Sequence, residues 1–331
     1  MPASALPEVN RHLKMDPMQE LLRLEAVKWD IEVVEPFDQG SLLFIKDDRE
    51  VLFSEGFPLN LISVQSERII DNKQFTKRYF EKAGIYHPKS LTFHSLNRQS
   101  ESDIKNFWQS GQVYVCKPLD ALNGEGVQMH VSDYSEIQQY WLKWKDKFNT
   151  FMLEEQVEGK DLRIQAIGGK VVAACTRVPA YVIGDGNSLL NELIERRQLE
   201  VARQNPLNQL VIDEDSIELL NRQQMQLDSI PSKGQKIQLK YVANMAQGGV
   251  AVDVTDKLHP KYAESTKKLA ELLDISIFAL DLITTDYSEE PTFENSWAIE
   301  INAKPQWLHH TFSERRTHPI PEKILKLVFD L

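Results

Sequence analysis

Polar and apolar residues alternate strictly through Leu162-Arg163-Ile164-Gln165-Ala166, and a second apolar-rich run, Lys170–Arg177, follows after only Gly168-Gly169. A period of two is the signature of a strand, and paired glycines supply the positive φ of a tight turn. The two runs predict a β-hairpin. Ile277–Thr284 and Trp297–Ala303 form a second pair of apolar runs, the first interrupted by a single carboxylate, Asp281. Shorter runs at Ile31–Val34, Leu42–Ile45, Val113–Pro118, Phe151–Val157, Leu239–Asn244 and Val250–Asp256 read as further strands, with a turn at Phe37–Gly40.

Helical stretches lie between them. Asp16-Pro17-Met18-Gln19 combines an acidic cap, a proline at the first helical position and a glutamine three residues on. Asp71-Asn72-Lys73-Gln74 is a second start, stopped by Gly84. Further helices are expected from Ser135, with Trp141 and Trp144 on a core face, over Leu189–Arg197, and over Tyr262–Leu273. From Gln198 to Gln238 the chain is polar but has spaced leucines and a turn at Pro231–Gly234, so it reads as decoration within a domain.

Composition narrows the function. The 331 residues are 42% hydrophobic and 26% charged, as in an ordinary globular protein. A formal charge of −11 argues against a nucleic-acid partner, which needs a basic surface. No apolar run reaches the length of a membrane span. Met1-Pro-Ala-Ser-Ala-Leu-Pro7 has no basic start or apolar core, so no signal peptide is expected. Cys116 and Cys175 each sit in apolar strands, which predicts buried thiols in a reducing, cytoplasmic compartment. The chain could pair as a homodimer.

Three places could carry chemistry. Glu300 and Asn302 are two apart on one strand and share a face, and Asp281 joins them if the two runs pair. Two carboxylates and an amide oxygen are hard donors that suit Mg²⁺; the plain alternative is the wet face of a hairpin. Lys73 and Lys77, four apart near a helix start, oppose the helix dipole, which mildly favours an external anion, although a solvated surface pair is the commoner reading of this helix taken alone. Lys117 ends a strand just before Asn123-Gly124-Glu125-Gly126-Val127, where spaced glycines let backbone N–H groups approach phosphate. This loop is neither a P-loop nor a dinucleotide fingerprint, and taken alone it could be a hairpin turn.

Taken in order, Lys73, Lys117-Pro118, the Gly124/Gly126 loop, Glu154…Asp161, Asp281 and Glu300-Ile301-Asn302 resemble the ATP-grasp ligases. The likeness is to the ATP-grasp part of cyanophycin synthetase and of bifunctional glutathione synthase. Glu155–Arg163, Gly168–Ala174, Arg177–Gly186, Asn244–Gly249 and Asp253–Asp256 carry it, and it runs from about Asn60 onward. The chain departs from the family at Lys304-Pro305-Gln306-Trp307 and at Ala246-Gln247, both in substrate-facing loops of the family. The length leaves room for neither the extra ligase domain nor the glutamate–cysteine ligase half, so a stand-alone module is expected.

The resemblance implies an ATP-grasp fold with nucleotide between two α+β lobes. The expected division is residues 1–95 as an N-terminal α/β region including the first ATP lysine helix, 96–180 as the small lobe and 181–331 as the large lobe. It implies an ATP-dependent ligase that joins an amino-acid or peptide carboxylate to an amine through an acyl phosphate. ATP would lie on Lys73, Lys117, Asn123, Gly124, Gly126 and Val127, with Glu154, Glu155 and Val157 at adenine and Asp161 at the ribose. Mg²⁺ or Mn²⁺ would sit on Asp281, Glu300 and Asn302. Arg163 and Arg177 would face the carboxylate or acyl phosphate, with Asn244, Gly248 and Gly249 at the acceptor. A surface ion-pair role is the competing reading for each arginine.

The hairpin tests that reading. A two-residue turn pairs Arg163 with Ala174 and puts the arginines on opposite faces, whereas a three-residue turn puts them on one face. His309, His310, Arg315 and Arg316 could meet substrate, with solvated surface the reading for most of them. A phosphotransferase and a nucleotide-sensing module without turnover are the alternative functions.

Overall fold

Asp16 caps the first helix, α1 (Pro17–Ala26), accepting from the amides of Met18 and Gln19 at 2.8 and 3.3 Å. This computed structural model describes residues 16–35, 40–119, 125–204, 209–241, 243 and 245–331. Four antiparallel strands follow: β1 (Glu32–Val34), β2 (Ser41–Lys46), β3 (Arg49–Ser54) and β4 (Phe57–Pro58). Leu42, Phe44, Val51 and Phe53 share the buried face of this sheet, as alternation requires. Of the turn expected at 37–40, residues 37–39 lie outside the described residues.

Helix α2 (Val64–Ile70) leads into α3 (Lys73–Ala83), where Asn72 accepts from the amides of Gln74 and Phe75 and Gly84 closes the helix at φ +75°. Next come β5 (Ser90–Phe93), α4 (Arg98–Phe107), β6 (Tyr114–Pro118), β7 (Gln128–Val131), α5 (Tyr134–Trp144) and β8 (Phe151–Glu155). The strands form an antiparallel sheet in the order β5-β8-β6-β7. Tyr114, Cys116, Phe151 and Leu153 point to one face, where Ile104 of α4 and Ile137 and Tyr140 of α5 close a core. The same alternation turns Lys117 and Glu154 to the other face. Trp141 and Trp144, expected on the core face, are only half-buried at its margin; Ile137 and Tyr140 are the buried residues of α5.

The hairpin is β9 (Lys160–Ile167) and β10 (Lys170–Val178), with Gly168 and Gly169 at φ +62° and +69°. It is followed by β11 (Tyr181–Ile183), α6 (Leu190–Gln204), α7 (Glu214–Arg222), β12 (Lys236–Gln238) and β13 (Val250–Asp253). Strand β10 pairs with both β9 and β13, antiparallel in each case. The polar stretch after Gln198 packs leucines into a small core of its own with Leu190, Ile194, Leu220 and Ile237. A strand was expected over 239–244; the strand lies earlier, at Lys236–Gln238, paired with β11. Leu239 makes one last bond, to Ala180 O at 2.7 Å.

Helix α8 (Pro260–Leu273) precedes the antiparallel pair β14 (Ile277–Thr284) and β15 (Ser296–Asn302), and α9 (Leu308–Thr311) and α10 (Ile320–Phe329) end the chain. Two compact units result, each assembled from separated stretches. One takes Met1–Leu61, Asp161–Lys257 and Lys304–Leu331, and the other takes Ile62–Lys160 and Leu258–Ala303. These borders differ from the consecutive division expected at 95/96 and 180/181. No helix of the described residues is long and apolar enough to cross a membrane.

Candidate active site

In the second unit, the β14–β15 ladder sets Asp281 directly opposite Glu300, and Ala279 opposite Asn302. Asn302 therefore shares a face with both carboxylates. Its Nδ2 donates to Asp281 Oδ2 at 3.0 Å and reaches Glu300 Oε1 at 3.4 Å. Asp281 is buried, and like charges opposed on one ladder destabilise it unless a cation intervenes. Turning the Asn302 amide about χ2 would present Oδ1 beside the two carboxylates, making three hard oxygen donors. The set fits Mg²⁺ or Mn²⁺. Among the described residues no group of three or more His, Cys, Asp and Glu is placed to hold a metal, so the amide is needed to complete a trio.

The lysines lie on the sheet and helix of the same unit. Glu154 is paired with Lys117 Nζ and Lys77 Nζ, each at 2.5 Å, and all three are buried. Burial alone would raise the Glu154 pKa, but the two ammonium groups together hold it below the ordinary carboxylate value. Burial also pushes the Lys77 ammonium pKa down, against the pull of Glu154. One carboxylate shared by two ammonium groups leaves a net positive cluster. Lys77 also donates to Pro88 O at 2.7 Å, so it braces this cluster from inside. Its place was signalled only by its spacing of four from Lys73, and the sequence reading did not put it in the site. Lys73 donates to Leu119 O at 3.3 Å, just beyond the Lys117-Pro118 strand end.

Glu154, expected at adenine, thus lies buried between the two lysines. Glu155 is half-buried, its amide bonded to Lys89 O and that of Gln156 to Val113 O, which leaves Val157 as the first residue past the ladder. Asn123 and Gly124 lie outside the described residues. Gly126 sits at φ +71°, and a Cβ there would come within 2.7 Å of Pro118 Cγ. Tyr140 donates to Gly126 O at 2.7 Å and anchors the end of the loop. Val127 is exposed.

The arginines belong to the first unit. Ile167 pairs with Lys170 across a two-residue turn, yet Arg163 pairs with Cys175, because Val172 bulges out of β10 and shifts the register by one. The bulge does what a three-residue turn would have done. Arg163 and Arg177 lie on one face, together with Asp161. Both oxygens of Asp161 accept from Arg177, from Nε at 2.7 Å and Nη2 at 2.9 Å. Asn244 lies outside the described residues. Gly248, at φ +91°, leaves no room for a side chain, since a Cβ would meet Leu210 Cδ1 at 2.7 Å; Gly249 follows it, buried.

Helix α9 packs over β10 and β13 in the same unit. It carries His309 and His310, two of the four residues for most of which solvated surface was expected, and they are 7% and 0% exposed. Apolar Leu308 and Trp307 bury the short helix and take the histidines with them, while Arg315 and Arg316 are exposed as expected. His318 Nε2 lies 2.6 Å from Asp253 Oδ1, and Thr255 Oγ1 donates to the same oxygen at 2.6 Å, fastening the segment after α9 to the end of β13.

No family model matches the chain. The bifunctional glutathione synthetase of Pasteurella multocida superposes with a TM-score of 0.76 at 24% identity, over 96% of this chain and 44% of that one. The chain has the ATP-grasp fold. At the sequence level, this ATP-grasp chain is 30% identical to cyanophycin synthetase of Synechocystis sp. over 268 residues, which is 78% of the chain and 30% of that protein. It is 28% identical to the glutathione biosynthesis bifunctional protein of Clostridium perfringens over 320 residues, 94% of the chain and 41% of that protein. The ATP-grasp chain therefore spans well under half the length of these relatives.

Proposed function

We propose that this ATP-grasp chain is an ATP-dependent carboxylate–amine ligase that acts on amino acids or small peptides through an acyl phosphate. The observation that carries the reading is the facing pair Asp281 and Glu300 with the Asn302 amide against both. These three would hold Mg²⁺ or Mn²⁺, which when bound supplies charge neutralisation at the phosphoryl oxygens. Similarity to cyanophycin and glutathione synthetases supports ligation over simple phosphoryl transfer.

Each residue then has a task. Lys73 and Lys117 hold the α- and β-phosphates as point charges, with Lys117 kept in place by Glu154 and Lys77. The loop ending at Gly126 covers the γ-phosphate and excludes water that would hydrolyse an acyl phosphate. Glu155 and the Val157 backbone face adenine. Arg163 and Arg177 grip the substrate carboxylate with planar guanidinium forks. Asp161 orients Arg177, and a carboxylate has acceptor sites to spare for ribose hydroxyls.

The substrate carboxylate oxygen attacks the γ-phosphorus; the bond to the β–γ bridging oxygen breaks, and ADP takes the electron pair. The amine nitrogen then attacks the acyl carbon. The carbon–oxygen bond to phosphate breaks, phosphate leaves with its electron pair, and the nitrogen sheds its extra proton. As the amine attacks, the acyl oxygen develops negative charge that the guanidiniums stabilise. A cytoplasmic location suits an ATP-consuming enzyme with two free thiols, one of which, Cys116, burial pushes up to about 12.

Pairwise incubation of amino acids with ATP, followed by ADP and phosphate release and product mass, tests the reading. One amide per ADP is expected. A stable phosphorylated product with no amide would overturn it.

A further inference from the structure

Gln156 lies between Glu155 and Val157, which face adenine in the reading above, and its side chain binds His130. Gln156 Oε1 accepts from the His130 amide at 2.8 Å. That fixes the orientation of the side-chain amide, so Nε2, 3.1 Å from His130 Nδ1, donates to a ring nitrogen that carries a lone pair. The Gln156 backbone is held as well. Its N–H donates to Val113 O at 2.9 Å, and its carbonyl accepts from Gln112 Nε2 at 3.4 Å.

His130 has a backbone shaped for this contact. Between the pairs Tyr114↔Val131 and Cys116↔Gln128, β6 has one residue and β7 has two, Met129 and His130. The extra residue is a bulge, and His130 sits in it at φ +60°, a left-handed conformation that strains a residue with a side chain. Strain of this kind persists only where the surroundings impose it, and it gathers at functional sites. The contact also joins strands that are not neighbours. The order β5-β8-β6-β7 puts β6 between β8 and β7, which keeps them about 10 Å apart. Gly126 packs near Pro118 at one end of β6, whereas Gln156 meets β7 beside Val113 and Tyr114 at the other end, about 14 Å away along the strand. A nucleotide laid along β6 has its phosphates at the first end and its base at the second.

We propose that Gln156 and His130 are positioning residues for ATP, their clamp setting the distance from the adenine-facing segment to the phosphate loop. This inference rests on the nucleotide placement in the ligase reading and is independent of the ligation step.

The probe is ADP with Mg²⁺, titrated calorimetrically into the intact chain. Gln156→Leu should raise the Kd for ADP at least fivefold. His130→Val, whose β-branched side chain disfavours the left-handed conformation, should do the same. The double variant should bind no more weakly than either single one, because both changes open one clamp. His130→Asn tolerates that conformation and keeps the amide, so it should hold the Kd within twofold of wild type. His130 is exposed and Gln156 half-buried, so none of these changes reaches the core. In turnover the KM for ATP should rise with the Kd, while the KM for the acid stays within twofold. An unchanged Kd in Gln156→Leu, or additive losses in the double variant, would overturn the proposal, as would a wild-type chain that does not bind ADP. The expected Kd pattern in a chain that forms no hydroxamate from any acid would support the clamp and refute the ligase reading.

Discussion

Asp281 stands directly opposite Glu300 on the β14–β15 ladder, and the Asn302 amide donates to one and reaches the other. Glu300→Gln keeps the shape of the side chain and should fold normally. Mg²⁺ with a non-hydrolysable ATP analogue should raise the melting temperature of the wild type and not of the variant. Turnover should drop about 10²–10³-fold, corresponding to roughly 2–4 kcal/mol of transition-state stabilisation. A Glu300→Gln enzyme with wild-type turnover would remove Glu300 from the site.

Glu154 is the counterweight to two buried ammonium groups. Glu154→Gln strands both, and breaking a buried pair in this way costs about 3–5 kcal/mol. Lys77→Met leaves the Lys117–Glu154 pair intact and should cost clearly less. Urea unfolding of the two variants ranks them, and the reverse order would contradict this view of the cluster. Because the Glu154 pKa is held below its usual 4.5, its contribution is complete above that value and is lost as pH falls through the folded-state pKa. Wild type should thus lose stability on acidification below about pH 4.5 more steeply than Glu154→Gln.

Local chemistry made much of this legible from the chain alone. Asp16 and Asn72 cap helices because their side chains reach amides two and three residues on, and Gly168-Gly169 turns because both need positive φ. Asp281, Glu300 and Asn302 came together because Glu300 and Asn302 alternate onto one face and the ladder sets Asp281 opposite Glu300. Other features depend on tertiary packing, which spacing does not encode. Nothing in Lys170-Val171-Val172-Ala173 announces that Val172 will bulge. The burial of His309 follows from Trp307 and Leu308, which draw a polar-looking segment inward. The pairing of Glu154, expected at adenine, with Lys77 and Lys117 was not legible because those lysines arrive from other elements.

The bulge has a direct consequence. Deleting Val172 should restore the simple register, turn Arg177 to the opposite face and break its two bonds to Asp161. If Arg177 grips the substrate carboxylate as proposed, misplacing it should lower turnover about 10²-fold or more, with circular dichroism confirming a retained fold. Undiminished turnover in a folded deletion variant would show that the shared face is dispensable.

Gly126 combines positive φ with a close approach to Pro118. Gly126→Ala should cost about 1–2 kcal/mol from the left-handed backbone alone, and more from the contact with the proline ring. The loop should shift, so the KM for ATP should rise. Unchanged stability and KM would mean that the loop does not depend on this glycine.

The central claim is that ATP is spent on making an acyl phosphate. Hydroxylamine intercepts that species as a hydroxamate, whatever the natural amine is. Wild-type protein incubated with ATP, Mg²⁺, hydroxylamine and a panel of amino acids and dipeptides should convert one or a few acids to hydroxamate, one per ADP released. ADP release matched by a stable phosphorylated product, or no acid-dependent ADP release across the panel, would contradict it.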